Sequence, residues 1–289
     1  MNIRHTLECI AARLVLAAVL LTASPAQSQA PPSGGEVSLA AVEERIKVLD
    51  QEDTELQQAA LTSLVKLGGT AEVHLSVILL DPKRSWAART GAAWVLGELL
   101  EPKSAAALNE AWSQAKAPGT FRMQVAMALG ALGDKTKLRT FLDPKGDKIL
   151  AAKGATALAN LQDKGAVELM KPLLGDEDIG AFIALAMGRL GEGSVKQTVK
   201  DLMKEPIFRD HAAVALGAMG DRTAMMPLRF ALANPDPFIR RDAATILGRL
   251  KDTGALGQLE ALAEDDPDAR VRDAAARAAK RLRPRGRRR

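Results

Sequence analysis

Tyrosine is absent from this chain of 289 residues, and aromatic residues together make up only 3% of it. The strands of β-sandwiches favour β-branched and aromatic side chains, so a chain poor in rings and rich in Ala, Leu and Gly does not read as one. Cysteine is almost as scarce. Cys9 is the single copy and lies inside the N-terminal stretch, which leaves nothing downstream to pair and excludes a disulfide framework. Histidine is limited to His5, His74 and His211. A zinc site wants three or four converging ligands, and the two histidines beyond the N-terminus stand in different parts of the chain with no cysteine to join them. Long apolar runs are missing too. The run Leu14 to Leu21 falls short of the ~20 apolar residues that cross a bilayer.

That short run has a different meaning. Arg4 and Arg13 precede it, and Ser24, Ala26 and Ser28 follow it, the order of an export signal: basic, apolar, small. Residues 1–28 are therefore expected to be a signal peptide cleaved within residues 26–30, and the mature protein to be periplasmic or secreted. A lipoprotein would carry its cysteine just after the run, where none stands. Residues 29–37 include Pro-Pro-Ser-Gly-Gly and are expected to form a flexible leader.

The net charge of +5 misleads when taken over the whole chain. The signal contributes +1 and the last ten residues +7, so residues 27–279 stand at −3. The body is mildly acidic, and residues 283–289 form a basic tail broken by Pro284 and Gly286, expected to be disordered. Such a tail can adhere to an anionic surface by screened Coulomb attraction. Export makes nucleic acid a poor partner.

What the chain does hold is a repeat. Residues 237–252 read Pro-Phe-Ile-Arg-Arg-Asp-Ala-Ala-Thr-Ile-Leu-Gly-Arg-Leu-Lys-Asp, and residues 207–221 return the same frame of Arg, small pair, Leu-Gly and Asp. Anchored on the glycine slot, the unit recurs at Val65, Gly97, Gly130, Ala159, Gly188, Gly217, Gly248 and Lys280, at intervals of 29 to 33 residues. Two short helices and two turns consume about that length. The unbroken period predicts one elongated all-α body of eight helix pairs over residues 38–282. Second helices are predicted at 85–100, 120–132, 148–161, 178–190, 207–219, 237–250 and 268–282. The first helices preceding them are predicted at 71–80, 103–116, 135–142, 166–174, 194–204, 223–233 and 255–264. A glycine inside a helix costs ~1 kcal/mol against alanine, so its use at five anchors predicts close contact between neighbouring helices.

This frame resembles HEAT repeats, above all the short variety of bilin-lyase-like proteins, best at residues 208–221 and 239–252. The resemblance implies an α-solenoid whose second helices line a concave face. It also implies an arginine near the start of each second helix, found here as Arg89, Arg122, Arg209, Arg240 and Arg272. Their expected role is structural, pairing with acids of the turns such as Asp81, Glu205, Asp236 and Asp266. HEAT-like iron hydroxylases carry repeated His-Glu pairs, whereas here His74 precedes Leu75 and His211 precedes Ala212.

No catalytic constellation emerges from these residues, and the chain is expected to be non-enzymatic, without a cofactor or metal. The acid clusters Asp176-Glu177-Asp178 and Glu264-Asp265-Asp266 sit at turns, where carboxylates cap helices, and lack the spacing of a calcium loop. Positions seven and three before each anchor and one after it are expected to line the groove. They place Trp94, Met123, Met127, Leu185, Arg189, Arg241 and Arg249 there, as apolar anchors with a charged margin. The alternative for Trp94 and Leu185 is packing beneath neighbouring helices. The functional expectation is an exported scaffold binding a protein partner; the alternative is a lyase-like protein holding a small cofactor or chromophore.

Overall fold

Residues 38–51 and 53–283 are described by a computed structural model. The expected signal peptide, the expected leader and residues 284–289 of the tail lie outside the described residues. Within these, no strand occurs, and sixteen α-helices follow one another as eight antiparallel-type pairs. The architecture is all-α, of the α-solenoid class. The helices fall into two compact units, one ending at Leu161 and the other beginning at Gln162.

The unit ending at Leu161 contains α1 (Leu39–Lys47), α2 (Thr54–Lys66), α3 (Glu72–Leu80), α4 (Trp86–Leu99), α5 (Ser104–Trp112), α6 (Gly119–Ala131), α7 (Thr136–Arg139) and α8 (Lys148–Asn160). Local chemistry starts them: the side chains of Ser38, Asp53, Ser85 and Asp147 each accept a hydrogen bond from a backbone N–H of the first turn, satisfying donors that a helix leaves open. The second helices α2, α4, α6 and α8 pack on one another in order. Between them and the first helices, Leu64, Leu75, Leu96, Leu108, Phe121, Leu129 and Leu158 are wholly buried.

The unit beginning at Gln162 contains α9 (Val167–Met170), α10 (Gly180–Arg189), α11 (Lys196–Leu202), α12 (Arg209–Ala218), α13 (Met225–Ala231), α14 (Pro237–Leu250), α15 (Leu256–Asp265) and α16 (Ala269–Leu282). Its core is drawn from Ile183, Val199, Leu216, Leu228, Ile239, Leu247 and Leu259. The acid clusters serve the turns. Asp176 accepts from the backbone N–H groups of Asp178 and Ile179, and Asp268, fully buried, caps α16.

The seam between second helices has the tightness that the anchor glycines predict. A Cβ on Gly97 would stand 2.9 Å from the Ala128 Cα, and one on Gly248 would stand 2.8 Å from the Ala278 Cα. Both neighbours are backbone atoms, which cannot swing aside. The cost of glycine in the helix is thus offset by backbone approach, with small residues on both sides of the contact.

Second helices match their predicted spans closely, as do the first helices α3 and α15, but other first helices are shorter than predicted. α7 covers only Thr136–Arg139 of the predicted 135–142. Within the predicted 166–174, α9 covers four residues, flanked by 3-10 turns at Lys164–Ala166 and Lys171–Leu173. Pro172 lacks the N–H that would continue an α-helix. First helices cover only one side of the second-helix row, and a tighter or shorter turn can do that as well.

Candidate functional site

The two units present their second helices differently, and the polar chemistry gathers in the one beginning at Gln162. There the guanidinium of Arg189, at the end of α10, donates from Nη2 to Oδ2 of Asp242 on α14 at 2.5 Å. Arg241 donates to the other carboxylate oxygen from Nε at 2.9 Å and from Nη2 at 2.6 Å. Arg189 and Asp242 are buried, and Arg241 is half-buried. One carboxylate thus holds two cations, and the pair links residues 53 positions apart. Burial acts to raise the Asp242 pKa, but the two arginines outweigh it and hold the carboxyl below the usual range. The Arg189 Nε is buried with no hydrogen-bond acceptor, so the network is not fully satisfied.

His211 on α12 is half-buried beside this pair. Burial pushes its imidazole below the ordinary value, Arg189 pushes it further, and Asp236 and Asp210 oppose both. Neutral imidazole offers one donor and one acceptor. Asp210, one residue before it, accepts from the Asn234 side chain at 2.6 Å. Aromatic rings flank the cluster: Phe182 meets Phe208 edge to face with centroids 5.4 Å apart, and Phe238 lies under Arg241 at 5.2 Å and Arg270 at 4.8 Å. Phe182, His211 and Asp242 stand six residues before Gly188, Gly217 and Gly248. They occupy the same register position on three successive second helices, a correspondence the sequence reading passes over because its three members share no chemistry.

The residues expected to line a groove divide. Trp94 and Leu185 are 5% exposed and Met123 4%. They pack beneath neighbouring helices, Trp94 and Leu185 from the position three before the anchor and Met123 from the position seven before it. Arg189 also turns inward, drawn by Asp242. Met127 is half-buried, and Arg241 and the exposed Arg249 keep faces toward solvent. Arg249 donates to the carbonyls of Gly217 at 2.7 Å and Ala218 at 2.9 Å, closing the open end of α12.

The arginines near the starts of second helices mostly satisfy backbone. Arg240 donates to the Asn234 and Pro235 carbonyls, each at 2.9 Å, and grips Asp266 of the following turn with two bonds at 2.8 and 2.9 Å. Arg272 reaches the Asp266 and Pro267 carbonyls, and Arg122 those of Gln114 and Ala115. Arg89 is buried, donates to the Leu79 carbonyl at 2.9 Å and to the Gln114 side chain, and lies 4.4 Å from the Trp86 ring and 5.1 Å from that of Phe121. Arg209 is exposed and makes no ion pair among the described residues.

Residues 204–280 match the family model described as HEAT repeats. No curated protein matches the sequence. Among solved structures, the chain is similar to human deoxyhypusine hydroxylase in complex with glycerol, at 21% identity and a TM-score of 0.34, covering 84% of this chain and 96% of that one. It is also similar to the complex of CpcE and CpcF of phycocyanin lyase from a Nostoc species, at 17% identity and a TM-score of 0.38, covering 89% of this chain and 99% of that one. One of these proteins is an enzyme and the other a lyase, so the expectation of a non-enzymatic chain is withdrawn; it rested on the lack of a familiar constellation in the sequence. Neither likeness assigns this chain a substrate or a reaction. The stretch from Lys204 to Lys280, which matches HEAT repeats, contains α12 to α15, most of α16 and most of the polar cluster.

Proposed function

We propose that the chain is an exported helical-repeat scaffold that holds a protein partner against the second-helix edge of residues 162–283. The observation that carries this reading is the buried Arg189–Asp242–Arg241 network, with the half-buried His211 beside it and the half-buried Phe182 at the same register position on α10. Side chains already ordered cost less to immobilise when a partner arrives, and aromatic and arginine side chains dominate interface energetics. The order of charge and apolarity in residues 1–28 supports the export part of this reading.

Site-specific photocrosslinking tests it. A photoreactive residue replacing the exposed Thr245, one turn from Arg241 on α14, is expected to capture one defined protein from the exported fraction. The same residue replacing Phe230 on the outer side of α13, which is 70% exposed, is expected to capture none. Equal yields at both positions, or a protein that stays in the cytoplasm, would count against the reading.

A further inference from the structure

Helix α14 turns a row of cations toward solvent. Arg241, Thr245 and Arg249 follow one another at intervals of four residues and share one stripe; Arg241 is half-buried and the other two are exposed. Within this unit the stripe is flanked by α12 and α16, since a Cβ on Gly217 would meet Ile246 and one on Gly248 would meet Ala278. Counted from the anchors, the corresponding positions are Asp210, Val214 and Ala218 on α12 and Asp273, Arg277 and Arg281 on α16. Both signs are therefore present. Asp210 accepts from the Asn234 side chain, while Asp273, Arg277 and Arg281 are exposed. The three rows hold four arginines against these two acids, because the carboxylate of Asp242 beneath them is offset by the buried Arg189. The arginines at the start of α16 are engaged elsewhere, Arg270 with Asp268 and Arg272 with the carbonyls of Asp266 and Pro267. Donors also exceed acceptors below the row, where the Arg189 Nε is buried without an acceptor. Arg249 spends Nη2 on the carbonyls that end α12 and meets no acid among the described residues.

We propose that this row takes an extended acidic segment of the protein partner, with one side-chain carboxylate at Arg241 and a second at Arg249, an inference that refines the scaffold reading and rests on it. Eight helical steps set the two arginines about 12 Å apart. Residues i and i+4 of an extended peptide point the same way and stand about 13 Å apart, so one segment spans both. The planar guanidinium pairs a carboxylate through two parallel bonds. Phosphate fits the same fork, but a nucleic-acid strand carries a charge on every unit and would set some of them against Asp210 and Asp273. A peptide can place uncharged residues there.

The test is fluorescence anisotropy of dye-labelled peptides titrated with the whole chain. The probe is Glu-Ser-Gly-Ser-Glu with an amidated C-terminus, so that only side-chain carboxylates are offered. One control peptide replaces both Glu by Gln, and another sets the two Glu side by side. The probe is expected to bind about tenfold more tightly than either, since one charge-assisted pair contributes about a factor of ten. Arg249→Gln is expected to weaken the probe about tenfold. Thr245→Glu, which adds an acid at the exposed position between the arginines, is expected to do the same. Thr245→Lys is expected to strengthen it about threefold, a gain that no loss of folding produces. Equal binding of the three peptides, or unchanged binding by the Thr245 variants, would overturn the proposal. So would displacement of the probe by a single-stranded oligonucleotide at a lower concentration than by unlabelled probe. If no peptide binds while the photoreactive residue at position 245 still captures one protein, the scaffold reading stands and the acidic segment is rejected.

Discussion

The two units repeat one plan with two kinds of polar chemistry. Up to Leu161, the arginines of the second helices spend their donors on carbonyls, an amide and ring faces, as Arg89 does among Leu79, Gln114, Trp86 and Phe121. Carboxylates there meet cations of the turns, Arg84 with Glu43 and Lys103 with the buried Glu72, whereas from Gln162 on second-helix arginines join them: Arg189 and Arg241 with Asp242, and Arg240 with Asp266. What stays constant is the seam of small residues, so the seam sets the stacking of each unit. The polar groups then have to satisfy only the helix ends and one another. The first unit's buried Glu72 meets the exposed Lys103, whereas the second unit buries an arginine together with its carboxylate, Arg189 with Asp242.

The comparison breaks most readily at Asp242. Asp242→Ala leaves Arg189 buried without its counter-charge and is expected to cost about 3–5 kcal/mol, read as a lowered urea midpoint for the second unit. Replacing both partners, Arg189→Met with Asp242→Leu, is expected to recover most of that loss, because an apolar pair of similar volume needs no compensation. A double variant as unstable as the single one would show that the pair does more than neutralise itself.

The seam comes next. Gly248→Ala drives a Cβ toward backbone at 2.8 Å and is expected to destabilise by about 1–3 kcal/mol, the usual cost of overpacking. Gly257 on α15 has nothing within 4 Å of a built Cβ, so Gly257→Ala is expected to stabilise by about 0.5–1 kcal/mol through helix propensity and unfolded-state entropy. Opposite signs at two glycines 9 positions apart separate contact from propensity; a stabilised Gly248→Ala would mean the seam is loose.

The smallest expected effect is a pH dependence greater in the second unit, since the first holds a depressed carboxyl at Asp134 but no depressed histidine. His211 is depressed by burial and by Arg189, so its contribution is present above the unfolded histidine value of about 6.5 and is lost as pH falls through the folded value. Asp221, Asp242, Asp252 and Asp268 are also depressed. Their contribution is present above about pH 4 and is lost as pH falls below that. Hydrogen exchange followed from pH 7 to 3 is expected to show α10 to α16 losing protection in two stages while α2 to α8 change less. His211→Gln is expected to erase the upper stage alone.

Legibility in the sequence follows the range of the forces involved. Second helices are legible because their anchors, caps and turns lie within a few residues of one another, and Asp236 and Asp268 cap the helices that the repeat frame predicts at those places. First helices are less so, since α7 and α9 are trimmed by contacts and by Pro172. Among the groove candidates, Trp94, Met123 and Leu185 have the chemistry of anchors. Their burial depends on how closely the next helix approaches, which no spacing within one helix reports. Arg189 and Asp242 are both visible as charges, but nothing in 53 intervening residues says that they meet.

Sequence by itself determines the all-α class, the two-helix period and the glycine seam, because these arise from backbone geometry and side-chain size within each repeat. Tertiary structure alone decides the division at Gln162, which ring or methionine is covered, and the joining of Arg189, Arg241 and Asp242. Those outcomes depend on the coiling of one pair onto the next, where a shift of a few ångströms moves a side chain from solvent into the core.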